Sequence, residues 1–266
     1  MKLAGIGRGD FFTGLGPSQR ARRRADARPR ERARKTRYDP DVPENFFPVA
    51  LVPAFRAEAT VGAVVRGLAA SVPRVLVVDD GSPDRTSAEA EQAGAEVLRL
   101  DANVGKGAAL RAGLTRVLAS EATHVAFVDA DGQHDPADLP RLLAAARAGA
   151  DFVIGSRMER PEDIPAVRYR TNEIGSRILS RMTGLDVEDG QSGYRVVAAD
   201  LLRRLRLNAR GYSIETEMLL KAARHIRNFR QVPVRAVYGG GSHYRPFRDT
   251  WVISWGAVYY KVFETD

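Results

Sequence analysis

Short apolar runs alternate with helical stretches along most of the chain from Pro48 onward. The runs are rich in β-branched residues, whereas between them apolar residues recur at spacings of three and four. This alternation is typical of an α/β fold, in which helices flank a mostly parallel sheet. Strands are predicted at residues 49–52, 74–79, 96–100, 124–129 and 151–154, and helices at 60–70, 86–93, 108–118 and 136–148.

The chain beyond residue 160 has a mainly helical pattern. Helices are predicted at 171–182, 200–205 and 215–225, followed by a strand at 231–238. The final aromatic run, Trp251–Phe263, would span only ~20 Å as a helix, which is short of the ~30 Å hydrocarbon core of a bilayer. We therefore expect that it does not cross a membrane unaided. Two interpretations stay open: a terminal helix packed on the domain, or an interfacial helix whose aromatic face enters the membrane surface.

Polar residues follow four successive strands of the predicted sheet. In open α/β sheets, ligands bind beyond the carboxyl ends of the strands. We therefore expect these residues to meet at one oxygen-rich edge. They are Glu58 after the first strand, Asp79 and Asp80 after the second, residues 103–106 after the third, and Asp129 and Asp131 after the fourth.

The segment at residues 129–134 (DADGQH) is the strongest candidate metal site. The oxygens of Asp129, Asp131 and Gln133 are hard ligands that suit Mg²⁺ or Mn²⁺, and such an ion bridges phosphate oxygens. An isolated Asp-x-Asp is more often a solvated acidic turn. Here a second acidic cluster, residues 79–86 (DDGSPDRT), follows an earlier strand at the same edge. Because unpaired anions beside a sheet are costly unless they bind donors or cations, we predict a metal-binding edge.

Composition places the chain among ordinary globular proteins. Its 266 residues are enough for one large α/β domain. Cysteine is absent, which excludes disulfides and thiolate metal sites and suits a reducing cytosol. The net charge of +8 is concentrated near the start, because residues 1–38 hold twelve Lys/Arg against three Asp/Glu, leaving 29 against 30 in residues 39–266.

The basic leader, residues 1–45, has few apolar residues to bury and is predicted to be disordered. It is interpreted either as a solvated tail or as a segment attracted to anionic lipid head groups, at ~1 kcal/mol per basic residue. Because the rest of the chain is nearly neutral, nucleic acid is not predicted as a partner. Residues 1–16 lack the sustained apolar stretch of a signal peptide.

Three familiar motif classes are absent from the sequence. No GxxxxGK[ST] is present, so residues 103–107 (NVGKG) do not form a P-loop, and no GxGxxG follows the first strand. The four histidines show no HExxH or paired spacing. P-loop enzymes, dinucleotide-dependent oxidoreductases and zinc sites are therefore disfavoured.

Four segments together resemble glycosyltransferase family 2, and more narrowly its dolichol-phosphate mannosyltransferase and undecaprenyl-phosphate glycosyltransferase branch. They are residues 53–58 (PAFRAE), 79–86 (DDGSPDRT), 103–107 (NVGKG) and 129–136 (DADGQHDP). The resemblance covers about residues 48–248 and implies a GT-A (Rossmann-like) domain at 46–248, between the leader and an aromatic C-terminal helix at 249–266.

The resemblance implies a role for each matching residue. A Mg²⁺ or Mn²⁺ ion would be held by Asp129, Asp131 and Gln133. Two departures from the family pattern are Ala57, where asparagine is usual, and the glycine-rich residues 239–243. The implied substrate contacts are Pro53 and Glu58 at the nucleoside, Phe55 and Lys106 nearby, Asp80 at the base or ribose, Asp129 at the diphosphate, Arg157 at a phosphate, and Ser192, Arg195, Ser242 and Arg245 on the acceptor side.

The expected activity is inverting transfer of a hexose from a nucleotide sugar, of GDP-mannose or UDP-glucose type, to a polyprenyl phosphate. Catalysis is assigned to Asp131 and Arg157, which would stabilise charge on the leaving diphosphate, and to Asp189, which would take a proton if the acceptor is a hydroxyl. A family-2 transferase that acts on a soluble or glycan hydroxyl is the alternative, and a non-catalytic sugar-nucleotide or nucleic-acid binder is a third. We expect a cytoplasmic protein, peripheral on the cytoplasmic face of the membrane if its acceptor is a lipid.

Overall fold

A seven-stranded sheet organises the part of the chain that the computed structural model describes, residues 45–235 without 161, 163, 210 and 212. The order across the sheet is β3-β2-β1-β4-β6-β5-β7, and within these residues only β6 runs antiparallel to its neighbours. The strands are β1 (Pro48–Ala54), β2 (Arg74–Asp79), β3 (Glu96–Arg99), β4 (His124–Phe127), β5 (Phe152–Ser156), β6 (Arg195–Ala198) and β7 (Phe229–Pro233).

Helices connect these strands and cover both faces of the sheet. The α-helices of the described residues are α1 (Val61–Ala69), α2 (Thr86–Gln92), α3 (Lys106–Leu118), α4 (Leu139–Arg147), α5 (Ala166–Thr183), α6 (Ala199–Leu202) and α7 (Ile214–Ala222), and a 3₁₀ turn, Pro136–Asp138, precedes α4. The elements predicted up to residue 154 are confirmed, with ends that shift by at most three residues. The later helices are also confirmed, although α5 begins five residues earlier than predicted and α6 is shorter.

The strand β6 corrects the sequence-based topology, in which no strand was predicted between residues 154 and 231. It pairs antiparallel with both β4 and β5, with Val197 opposite Val125 and Phe152. Because β6 runs in the opposite direction, its first residue, Arg195, lies level with the end of β4. The loop that precedes β6 therefore reaches the same sheet edge as the loops that follow the parallel strands.

Alternate residues of the central strands face opposite sides of the sheet, and both sides are buried. Leu51 belongs to a core cluster with Leu110 of α3 and Met218 of α7. Its neighbour Val52 belongs to the opposite cluster with Leu68 of α1. A parallel sheet covered on both faces explains why its strands read as continuous apolar runs in the sequence.

Helix α3 lies unusually close to the sheet at Gly113. A Cβ atom at this position would collide with the side chains of Leu51 and Val78. Only glycine permits this approach, which fixes the position of α3 and of the residues at its amino end.

The predicted segments at the two ends of the chain lie outside the described residues. They comprise the leader up to residue 44, the aromatic helix at 249–266, and the predicted substrate contacts Ser242 and Arg245. Within the described range, no helix has the length and apolar character that crossing a bilayer requires.

Candidate active site

The predicted site residues within the described range all lie at the carboxyl edge of the parallel strands, as the strand-end rule predicts. Contacts between them join loops that are far apart in sequence. The loop after β4 and the first turn of α7 both contact Lys106 of α3. The loop after β2 meets the start of α3, and the loop after β5 meets the loop before β6.

A buried lysine joins two carboxylates at the centre of this edge. Lys106 Nζ lies 2.6 Å from Asp129 Oδ1 and 2.6 Å from Glu215 Oε1. Burial opposes a charged ammonium, but the two carboxylates outweigh it and raise the pKa of Lys106 above its ordinary value. Burial likewise opposes ionisation of Asp129, and Lys106 outweighs it, so the pKa of Asp129 is lowered. Lys106 and Asp129 are therefore both ionised at neutral pH.

Glu215 was not predicted from the sequence. It lies in the first turn of α7 and is only 7% exposed, and its second carboxylate oxygen is buried without a hydrogen-bond partner among the described residues. No motif marks it, because its importance comes from the contact with Lys106.

The predicted metal ligands lie together in the turn after β4. Asp131 is exposed, and its Oδ1 accepts the backbone N–H of Gln133 at 3.0 Å. Partial burial and the negative charge of Asp129 both raise the pKa of Asp131, so a cation bound here would relieve the repulsion between the two carboxylates. No cluster of three or more His, Asp or Glu side chains capable of holding a metal occurs in the described residues. Two carboxylates nevertheless fit Mg²⁺ or Mn²⁺, because such ions take their remaining ligands from substrate phosphates and water.

The loop before β6 packs directly on Asp129. A Cβ atom at Gly193 would lie 2.6 Å from Asp129 Oδ2, so this position has no room for a side chain. Asp129 is thus held between Lys106 on one side and the backbone of Gly193 on the other.

Asp80, predicted to contact the base or ribose, supports the neighbouring loop in this structure. It is buried, and its two oxygens accept the backbone N–H groups of Val104 at 2.9 Å and Gly105 at 2.8 Å. Gly105 has a φ of 93°, a conformation that favours glycine. Asp80 therefore fixes the turn that leads into Lys106.

The residues predicted at the nucleoside lie beside this turn. Phe55 is 38% exposed, and Glu58 is exposed with Oε2 accepting the backbone N–H of Arg85 at 3.0 Å. Ala57 stands where asparagine is usual in the family. Its backbone N–H donates to Thr86 Oγ1 at 2.8 Å. A small cleft is lined by Pro53, Lys106, Leu110, Phe127, Asp129 and Gly193, among others. The nucleoside contacts predicted for Pro53, Phe55 and Glu58 stay a prediction.

Arg157 and Asp189 form a closely held pair. Arg157 Nε and Nη2 donate to the two oxygens of Asp189 at 2.7 and 2.9 Å, and the Arg157 backbone N–H donates at 3.0 Å. Asn172 of α5 adds a further donor at 2.6 Å. Burial opposes ionisation of Asp189, but Arg157 outweighs it and lowers the pKa of Asp189 to about 2. A carboxylate in this state is a weak base whose two oxygens are occupied by donors, so Asp189 anchors Arg157 in this structure, and its role as a base stays a prediction.

Two residues predicted on the acceptor side are buried and hydrogen-bond to backbone groups of the protein. Arg195 is fully buried, and its guanidinium donates to the backbone oxygens of Ser192, Glu215 and Gly190 at 2.8, 2.6 and 2.8 Å. Ser192 is also fully buried, and its hydroxyl accepts the N–H of Tyr194 at 3.2 Å. Both side chains are enclosed and brace the loop before β6 in this structure, and their substrate contacts stay a prediction.

His134 is a buried residue of the metal segment to which the sequence assigned no role. It is 3% exposed, and Nδ1 has no hydrogen-bond partner among the described residues. Burial and then the charge of Arg157 lower the pKa of His134 to about 4, so its imidazole is neutral at pH 7. The ring packs against Tyr194 at a centroid distance of 5.1 Å.

Comparisons with known proteins show the family of this chain. The model of the family described as "Glycosyl transferase family 2" matches residues 49–206. The undecaprenyl-phosphate mannosyltransferase of Micrococcus luteus is 35% identical over 71% of this chain and 83% of that protein. The UDP-N-acetylglucosamine–dolichyl-phosphate N-acetylglucosaminyltransferase of Methanococcus voltae is 27% identical over 80% of this chain and 93% of that protein.

A solved structure shares the fold. Glucosyl-3-phosphoglycerate synthase from Mycobacterium tuberculosis, in complex with Mn²⁺, UDP and phosphoglyceric acid, superimposes with a TM-score of 0.65 at 23% identity, covering 83% of this chain and 80% of that one. At this identity the likeness shows the fold alone, which is the GT-A fold predicted from the sequence.

Proposed function

We propose that this chain, which belongs to glycosyltransferase family 2, is an inverting hexosyltransferase that uses a nucleotide sugar and a polyprenyl-phosphate acceptor. Two relatives support the acceptor class. The names of the M. luteus and M. voltae proteins both specify a polyprenyl phosphate, although the named sugars differ. The names therefore support a lipid phosphate as the acceptor and do not single out one sugar as the donor.

The state of Asp189 is the structural observation that carries the acceptor assignment. A hydroxyl acceptor needs a base to remove its proton, whereas a phosphate monoester is already anionic at pH 7. Asp189, the predicted base, is held ionised by Arg157 with a pKa of about 2. This arrangement suits an acceptor that brings its own negative charge.

In the proposed reaction, a phosphate oxygen of the acceptor attacks the anomeric carbon from the face opposite the nucleoside diphosphate. The new carbon–oxygen bond forms as the bond to the diphosphate breaks, and the electron pair leaves with the diphosphate. No proton is transferred, and the configuration at the anomeric carbon inverts.

Stabilisation of the leaving diphosphate falls to the charged residues at the sheet edge. Asp129 and Asp131, with Gln133 as the third predicted ligand, would hold the Mg²⁺ or Mn²⁺ ion, which supplies positive charge at the diphosphate when bound. Arg157 adds a guanidinium that Asp189 keeps in one orientation. Lys106 adds a second cation next to Asp129. Fixed charges of this kind stabilise developing negative charge without reorganisation.

A transfer assay tests the proposal. GDP- and UDP-sugars would be incubated with Mn²⁺ and the full chain, with and without undecaprenyl phosphate in detergent, and products separated by mass. We expect a glycosyl phospholipid with inverted anomeric configuration, and loss of this product in Asp131→Asn. Asp200→Asn, which changes an exposed carboxylate at the opposite sheet edge, is the matched control. Transfer to a soluble hydroxyl acceptor but not to the lipid phosphate would replace the proposal with the alternative acceptor class.

The location follows from the acceptor. A polyprenyl phosphate resides in a bilayer, so we propose that the enzyme works as a peripheral protein at the cytoplasmic face of the membrane. The basic residues of the leader support this location, because the cytoplasmic leaflet attracts basic segments.

A further inference from the structure

The outward face of α5 exposes large apolar side chains. Val167 is 51% exposed and Ile174 is 57% exposed, and their spacing of seven residues places them on one side of the helix. The other large hydrophobic residues exposed in the described part of the chain, Phe55 and Val104, flank the donor edge. Val167 and Ile174 thus form an exposed apolar pair that lies away from the donor edge.

Arginines share this face of α5. Arg170, Arg177 and Arg181 lie at helical spacing around Ile174 and are all exposed. Glu173 pairs with Arg170 at 3.7 Å and with Arg177 at 2.8 Å. Three arginines against one glutamate leave this face with a net charge of +2.

An aliphatic and basic helical face fits the surface of an anionic bilayer. The aliphatic side chains can enter the boundary between head groups and acyl chains, while the long arginine side chains reach the lipid phosphates. A purely acidic partner surface would satisfy the arginines but would give Val167 and Ile174 no apolar surface to contact. The combination of both features favours lipid.

The inward face of the same helix contacts the active site. Asn172 donates to Asp189 at 2.6 Å, and Asp189 holds Arg157. The outward face is therefore separated from the proposed phosphate-binding arginine by one helix diameter and one hydrogen-bonded carboxylate.

We infer that the outward face of α5 docks on an anionic membrane surface and thereby holds Arg157 about one helix diameter, ~10 Å, above the lipid phosphates. This inference rests on the proposed function, because the lipid phosphate gives the docking its purpose. Val167, Arg170, Ile174, Arg177 and Arg181 form the docking surface.

A single fluorescent label tests the contact directly. The chain contains no cysteine, so Ile174→Cys in the full-length protein gives one labelling site for an environment-sensitive dye. On phosphatidylcholine vesicles with 30% phosphatidylglycerol (on the order of physiological anionic surface charge), the dye emission should shift to the blue and be protected from iodide. The control, Asp200→Cys, has an 88% exposed side chain on the opposite edge of the sheet and should show neither change.

Two results would overturn the inference. One is an unchanged emission at position 174 under conditions in which the protein floats with the vesicles. The other is a blue shift that appears without vesicles and grows with protein concentration, which would identify a second copy of the chain as the occupant.

A charge-matched pair of variants tests the consequence for activity. Arg177→Gln with Arg181→Gln should weaken vesicle binding roughly 30-fold at low salt, which corresponds to ~1 kcal/mol for each basic residue near the surface. Arg203→Gln with Arg204→Gln removes the same charge next to α6, at the opposite edge of the sheet, and should have little effect. The α5 variant should use vesicle-bound undecaprenyl phosphate poorly but a water-soluble, short-chain isoprenyl phosphate normally.

The transfer assay with the two acceptors distinguishes a failure of the proposed function from a failure of the docking inference. If the wild-type chain glycosylates neither acceptor, the proposed function fails. If it glycosylates both, and the α5 variant matches the wild type on vesicles, the function stands and the docking surface is wrong.

Discussion

Gly193 lies so close to Asp129 that a Cβ atom at position 193 would stand 2.6 Å from Asp129 Oδ2. The two residues belong to loops that precede β6 and follow β4, and these strands are neighbours in the sheet. The contact therefore ties the position of a proposed metal ligand to the strand that the sequence did not reveal.

Gly193→Ala should displace the Asp129 carboxylate while the fold is retained. A shift of about 1 Å at a catalytic position costs roughly 100-fold in rate, so we expect a loss of this order in transfer, with a higher Mn²⁺ requirement. Gly211→Ala is the matched control, because a Cβ atom there meets nothing within 4 Å. Equal activity of the two variants across a Mn²⁺ titration would contradict the tight contact.

Lys106→Met should destabilise the protein strongly. It leaves Asp129 and Glu215 as neighbouring, largely buried carboxylates without their cation, and breaking a buried pair costs about 3–5 kcal/mol. Arg203→Met removes an exposed partner of Asp200 and should cost about 0–1 kcal/mol. Urea unfolding measures both differences. Because a divalent ion at Asp129 replaces part of the lost charge, Mn²⁺ with UDP should recover some stability in Lys106→Met, and no recovery would argue against Asp129 as a ligand.

Asp189→Asn should reveal a stabilisation that depends on pH. The pKa of Asp189 is lowered from 3.8 to about 2, so the ionised form stabilises the fold at pH values above about 4. This contribution, ~2 kcal/mol, is lost as pH falls through about 2. The difference in unfolding free energy between wild type and Asp189→Asn should therefore be largest near neutral pH and shrink between pH 4 and pH 2. A difference that stays constant over this range would show that Arg157 does not hold the carboxylate ionised.

Asp80→Ala should weaken donor binding by way of the loop it supports. The substitution leaves the N–H groups of Val104 and Gly105 without their acceptors, at a cost of about 1–3 kcal/mol. Calorimetry with the nucleoside diphosphate should show a corresponding rise in Kd. Asp101→Ala changes an exposed carboxylate in the same loop and serves as control. Unchanged affinity in Asp80→Ala would remove Asp80 from the nucleotide site altogether.

The parallel part of the fold was predictable because its signals are local. Strands such as Arg74–Asp79 are continuous apolar runs, and the helices between them have apolar residues at regular spacing. The strand-end rule then placed Asp80, Asp129 and Asp131 at one edge without any knowledge of their contacts.

The unpredicted parts depend on contacts between distant segments. The strand β6 has four residues and begins with Arg195, so its sequence alone carries little strand signal, and its place is set by β4 and β5. The family resemblance alone led to the prediction that Arg195 contacts substrate. Only the fold reveals that its guanidinium donates to three backbone oxygens. Glu215 was missed for the same reason, because its partner Lys106 lies in another element.

The antiparallel strand also has a consequence for how the chain folds. Without β6, the described strands would form two separate sheets, β3-β2-β1-β4 and β5-β7, because β6 alone links β4 to β5. The first of these comes from contiguous sequence, residues 48–127, whereas β6 must return to β4 from a point some 70 residues further along. Such long-range pairing slows folding, because the entropy of loop closure is lost before the contacts form. The two halves of the catalytic edge should therefore assemble at different times, and the enclosure of the Arg195 guanidinium should accompany the late, rate-limiting step.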